Sequence, residues 1–260
     1  MKRRFSWPMS RQRLIELGVV VFGVMIALAL ENLVQEVRLR GDARDLERAF
    51  DQEVMAAVVY SLERQVSAPC FRQDLTRIEQ RVLQSGGAAE AMTFPPAVGN
   101  YVYVIPQPYR PVTRFWTTAA FDRALGSEAF KRIPSERAAE YAMMFALITR
   151  RGVENGEEFM VASRLTPAAY AQAEMGEEVR ADTLRDLSLL DRYNAIAAGS
   201  ADQLIALALS MSGGNRIAAS IVGGEADIRR MITPTRPDYG ACADLGAIDR
   251  LMEQARQRVG

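Results

Sequence analysis

The residues of this chain most able to make or break a covalent bond are its two cysteines, Cys70 and Cys242, with 171 residues between them. That spacing cannot form a Cys-x-x-Cys metal or redox site. In an oxidising compartment an even pair can close a structural disulfide, and in a reducing one the same residues are two unrelated buried thiols. In the chain-entropy model, closing so long a loop adds about 4 to 5 kcal/mol. Histidine is absent from the sequence. Its absence removes Ser-His-Asp and Cys-His triads, His-ligated zinc and the commonest general base at neutral pH. There is also no Gly-x-x-x-x-Gly-Lys phosphate loop.

Carboxylates alone can hydrolyse glycosides when two face each other across a cleft, and the adjacent pairs Glu157-Glu158 and Glu177-Glu178 are available for that. Neighbours on a helix point in different directions, so both pairs are expected to be solvated charge. Arg150-Arg151 and Arg229-Arg230 have the chemistry to hold an anion, but arginines at a helix end also complement the macrodipole, and that is their expected place here. Ser210, Ser212 and Lys131 supply no Ser-x-x-Lys dyad. Trp116, with Phe115 beside it and Tyr101 and Tyr103 in a neighbouring loop, forms a candidate small-ligand pocket; the same rings can pack as core. Nothing in the pattern calls for a metal or cofactor.

The elements that position these residues begin with the first forty. Lys2, Arg3, Arg4, Arg11 and Arg13 precede residues 17–30, which carry no charge. A hydrocarbon core needs roughly 20 helical residues, and residues 14–30 supply 17, with Glu16 among them. Three readings stay open at this point. One is a single-pass helix over residues 14–34, with Arg13 snorkelling to headgroups and Leu33, Val34 and Val37 extending the apolar face. Another is a signal peptide cleaved after Ala29, since Ala27-Leu28-Ala29 fits the small-x-small pattern. The third is an interfacial helix, disfavoured because the run is apolar all round. Basic residues concentrated before the span favour a cytoplasmic N-terminus and an extracytoplasmic remainder. Within the span, Gly23-x-x-x-Ala27 sets two small residues on one face, where a second helix can approach closely.

Glu16, the apolar run into Gly23-Val24-Met25-Ile26-Ala27-Leu28, then Asn32 and Gln35-Glu36, resembles the N-terminal signature of a large group of bacterial single-pass membrane proteins of unknown function. Their anchor reads Glu, apolar run, Gly-x-x-Ile-Ala-Leu and an Asn-Trp-containing acidic exit; Leu33 stands here where that tryptophan usually occurs. The match covers about 25 residues of the 260. A fainter likeness runs from Thr117-Thr118-Ala119-Ala120-Phe121 to Ile133-Pro134. The resemblance implies a retained anchor and a helical extracytoplasmic domain, and it transfers no catalytic or binding residue.

Beyond the anchor the composition is that of a globular domain, with 49% hydrophobic and 25% charged residues. Five of the 32 basic residues lie in the first 13 positions, leaving 27 against 32 acidic ones. A mildly acidic domain is a poor partner for nucleic acid. Leu46, Phe50, Val54, Val58 and Leu62 recur at helical spacing, continuing from the membrane helix, and Pro69 is expected to interrupt them. Phe71, Leu75, Ile78 and Val82 then predict a second helix, folded back as a hairpin and ending near Gly86-Gly87. Residues 86–111 hold five prolines and the β-prone run Tyr101-Val102-Tyr103-Val104-Ile105, and read as one long Pro-rich loop. Further helices are expected over residues 113–125, closed by Gly126; from Pro134 to Arg150-Arg151-Gly152, resuming over 157–165; over about 177–212; and from about Asp244.

The fold class expected is therefore mainly α: a basic cytoplasmic tail (1–13), a transmembrane helix (14–34), and a multi-helix extracytoplasmic domain (35–260). The expected setting is a bacterial inner membrane with the main domain periplasmic. Its partners are the lipid bilayer and a second copy or another membrane protein, and its role is interaction, sensing or envelope organisation. A small-molecule binding domain, or a hydrolase using carboxylate and arginine chemistry, is the alternative.

Overall fold

The computed structural model describes residues 11–84, 109, 114–165, 176–232 and 241–260, with side chains from residue 16 onward. Tyr101, Tyr103 and the Pro-rich loop apart from Tyr109 lie outside them. Among the described residues there are seven α-helices, one 3-10 turn and no strand.

The first helix, α1, runs unbroken over Arg11–Gln84, 74 residues, or about 110 Å at 1.5 Å per residue. It does two jobs. Over its first part every large apolar side chain, from Leu17 to Val37, is exposed, and none of the most apolar stretch is buried. That part is long and apolar enough to cross a membrane. From Ala43 onward one face turns inward, with Phe50, Val54, Val58 and Leu62 fully or almost fully buried.

The expected hairpin at Pro69 does not form, because α1 passes straight through the proline. Proline lacks an N–H and crowds the preceding turn, but this turn is held from outside. The Val66 carbonyl accepts from the Asp244 N–H at 2.9 Å, the Ala68 carbonyl accepts from Asn194 Nδ2 at 3.1 Å, and Cys70 lies at disulfide distance from Cys242. Phe71, Leu75, Ile78 and Val82 are buried as expected, on the same helix.

After α1 come α2 (Ala119–Ala124), a 3-10 turn (Phe130–Arg132), α3 (Ser135–Arg164), α4 (Glu177–Ser210), α5 (Gly214–Gly223), α6 (Glu225–Ile232) and α7 (Gly246–Val259). The helix expected over 113–125 shrinks to the six residues of α2. Arg114 to Thr118 are drawn out along α1 instead: Arg114 forks onto Glu63, and Glu53 Oε1 accepts from the Ala120 N–H at the start of α2. Gly126, at φ 82°, closes the turn.

Likewise α3 does not stop at Arg150-Arg151-Gly152 but continues to Arg164. Gly152 belongs inside it because a Cβ there would meet the Trp116 Cβ at 3.3 Å. The expected 177–212 helix is α4, two residues shorter.

Contacts rise together in number along α1 and α3 (Glu47 with Arg137, Asp51 with Tyr141, Arg64 with Glu158), so these helices are parallel. Along α1 and α4 they run oppositely (Arg72 with Asp191, Gln65 with Asp202), so α4 returns antiparallel. α5, α6 and α7 close the remaining side. The core falls into two clusters. One is centred on Phe50, which meets Phe121, Phe130, Tyr141 and Phe145 edge-on. The other holds Phe71, Leu75, Ile78, Val82, Tyr109, Val161, Leu165, Leu187 and Leu190.

Candidate functional site

Between the two apolar clusters lies a layer of buried charge. Arg64 on α1, Glu158 on α3 and Asn194 on α4 are 5%, 2% and 1% exposed. Arg64 Nη2 donates to Glu158 Oε1 at 2.6 Å and to Asn194 Oδ1 at 3.2 Å. Tyr109, fully buried, donates its hydroxyl to the same Glu158 oxygen at 2.7 Å. The guanidinium of Arg64 lies 4.6 Å from the centre of the Phe71 ring, and Phe71 stands edge-on to Tyr109.

At the adjacent position of α1, Arg114 holds Glu63 through two parallel hydrogen bonds of 2.7 and 2.6 Å. Arg151 pairs with Glu154. Three cations thus meet three carboxylates.

The electrostatics follow from burial. Desolvation works against the Arg64 cation, yet Glu158 and Tyr109 together outweigh it and hold the guanidinium above its ordinary value. Burial, with Glu158 nearby, pushes the Tyr109 phenol well up, so it stays a donor across the physiological range. Arg151 goes the other way: burial outweighs Glu154 and lowers it. Arg64 Nε and Nη1 are buried without a hydrogen-bond partner among the described residues. The layer therefore joins three long helices at one level, and any axial slip of one helix would strand a charge.

A second polar cluster lies at the start of α3. Tyr141 donates to Asp51 at 2.6 Å and Arg216 holds the other Asp51 oxygen at 2.7 Å. Glu140 accepts from the backbone N–H and hydroxyl of Ser212. Burial and the bond to Asp51 push the Tyr141 phenol up.

The residues singled out from sequence fare unequally. Cys70 and Cys242 come together, their Cα atoms 5.0 Å apart. Gly23 and Ala27 stay exposed, with nothing within 4 Å of a Cβ built at Gly23. At 100° per residue, Gly23 and Gly41 share one face of α1, while Phe50 is on the opposite face, packed into the domain. That face is open at Gly23 and Gly41, and the domain covers it farther along, where Val59, Val66 and Cys70 are buried.

Trp116 packs edge-on to Tyr60 and against Gly152, its indole N–H buried without a partner among the described residues, while the adjacent Phe115 points outward at 95% exposure. Glu158 corrects the expectation for its pair: it is buried and ion-paired, while Glu157 faces out and accepts from Tyr193. Glu177 and Glu178 are exposed at the start of α4. Arg150 and Arg151 lie in mid-helix rather than at a helix end, and Arg229 and Arg230 do sit in the last turn of α6. Among the described residues no cluster of ligating side chains could hold a metal.

Sequence reasoning missed Arg64, Glu63 and Asn194. The signal was their spacing: Arg64 is seven residues before Phe71, and Asn194 lies four beyond Leu190, both on inward stripes.

No protein-family model, curated protein or solved structure matches the chain.

Proposed function

We propose that this chain is a single-pass bacterial inner-membrane protein, with a cytoplasmic N-terminus and a periplasmic helical domain that serves interaction, sensing or envelope organisation rather than catalysis. The observation that carries the reading is the continuity of α1. One helix presents an exposed apolar surface over its first part and supplies the domain's central core helix over its second. Cleavage after Ala29 would cut this helix in mid-course, seven residues before Glu36, where the domain first contacts it.

Three further features support the reading. The basic residues precede the apolar run. The cysteine pair stands at disulfide distance, as an oxidising compartment would favour. The carboxylate best buried for catalysis, Glu158, is already committed to Arg64 and Tyr109.

The partner most compatible with the geometry is a second copy approaching along the Gly23 and Ala27 face, which is exposed at those two residues. Fusion of alkaline phosphatase after Gly260 tests the placement. An active phosphatase, with an inactive β-galactosidase fusion at the same residue, is expected; the reverse pattern would overturn it.

A further inference from the structure

The end of the domain nearest the apolar run is built on Glu36. Arg40 Nε lies 3.0 Å from one oxygen of that carboxylate, and Arg132 Nη2 lies 3.0 Å from the other. Arg132 belongs to the 3-10 turn, so this bond fixes the level at which the domain first meets α1. Lys131 beside it is 60% exposed, Arg40 68% and Arg132 43%.

We infer that this tip is a lipid-contact surface, with Lys131, Arg132 and Arg40 seated against the phosphates of anionic phospholipid. The inference rests on the proposed reading of α1 as a membrane span. The charge-free run, residues 17–30, has 14 residues and is about 21 Å long. A hydrocarbon core of about 30 Å must therefore draw in the flanking turns, which brings the bilayer edge to about Val34. Glu36 is then about 3 Å farther along the helix axis, at headgroup depth.

No spacer separates the domain from the bilayer. The 3-10 turn is already bonded to α1 at that depth, so its cations have lipid phosphate as their nearest surface. Two arginines share the single Glu36 charge, leaving that contact net positive. Glu128 offsets Lys131, and on the neck Arg38 and Arg44 stand with Asp42, while Glu31 lies on the hydrocarbon side of Val34. The exposed guanidinium and ammonium heads keep N–H donors directed outward, and cations at this depth are attracted to a negatively charged leaflet.

Lys131 is the one lysine beyond residue 2, so amine acylation followed by peptide mass spectrometry reads this surface alone. The experiment uses the full chain, in detergent and in nanodiscs of phosphatidylcholine with or without phosphatidylglycerol. Lys131 should be acylated several-fold more slowly in the phosphatidylglycerol discs than in detergent or in phosphatidylcholine alone, and Arg132→Gln should remove much of that protection while the helical circular dichroism is unchanged. Equal rates in all three settings would overturn the inference, as would equal protection in both kinds of disc. Failure to enter either disc would instead overturn the membrane reading beneath it.

Discussion

Arg64 and Glu158, 94 residues apart in the chain, meet at 2.6 Å with side chains only 6% and 3% exposed. Two desolvated charges at such a distance form a pair whose halves depend on each other. The attraction roughly repays the desolvation while both are present, and removing one leaves a charge in an apolar setting.

Glu158→Leu should therefore destabilise the domain by about 3 to 5 kcal/mol, whereas the double change Arg64→Met with Glu158→Leu should cost distinctly less. Urea unfolding of the four proteins in the cycle measures the coupling. Additive losses would mean that the two side chains do not act as a pair.

Tyr109 is held above the ordinary phenol range in the folded state by burial and by Glu158. The folded chain thus keeps that proton more tightly than the unfolded chain does. The stabilisation is complete below about pH 10 and is lost as pH climbs from there toward the raised folded value. Unfolding free energy measured from pH 8 upward should fall above about pH 10, and Tyr109→Phe should make the fall shallower. The same substitution should cost about 2 kcal/mol at neutral pH through the lost bond to Glu158. An unchanged alkaline slope would show that Tyr109 does not carry the effect.

Cys242 fixes the segment before α7 to the turn of α1 that contains Pro69. Cys242→Ser should lower stability by about 4 kcal/mol under non-reducing conditions, and added dithiothreitol should bring the parent down to the same level. Loss of the pair should also speed exchange of the Asp244 amide, which is bonded to Val66. A variant as stable as the parent without reductant would exclude a bridge.

Two glycines should respond in opposite directions. A Cβ at Gly214 would lie 2.2 Å from the Leu209 carbonyl oxygen, so backbone must move and Gly214→Ala should cost more than 1 kcal/mol, at about the level of other strained backbone positions. Gly199, exposed within α4, has nothing within 4 Å of such a Cβ. Gly199→Ala should stabilise by about 1 kcal/mol through helix propensity. Thermal melts of both variants check the contrast.

The long elements were legible because apolar spacing alone defines them. Leu187, Leu190, Ala197 and Leu204 mark out α4 almost to the residue, and Phe50, Val54, Val58 and Leu62 mark the buried face of α1. What local pattern could not reveal was tertiary support. Pro69 and Gly152 both look like helix ends, and each sits inside a helix where another segment packs: Asp244 and Asn194 at Pro69, Trp116 at Gly152; the Arg150-Arg151 step is instead paired within α3 itself, by Glu154.

The buried layer was hidden for a related reason. Arg64 and Glu158 carry the correct inward spacing but the wrong polarity, and only a partner 94 residues away makes their burial tolerable.

The central claim, an anchored chain with its domain in an oxidising compartment, is tested most directly by the intact mass of membrane-extracted protein alkylated without reduction. Full length with neither thiol alkylated is the predicted result. Loss of the first 29 residues would replace the anchor with a cleaved leader, and two alkylated thiols would contradict the proposed placement of the domain.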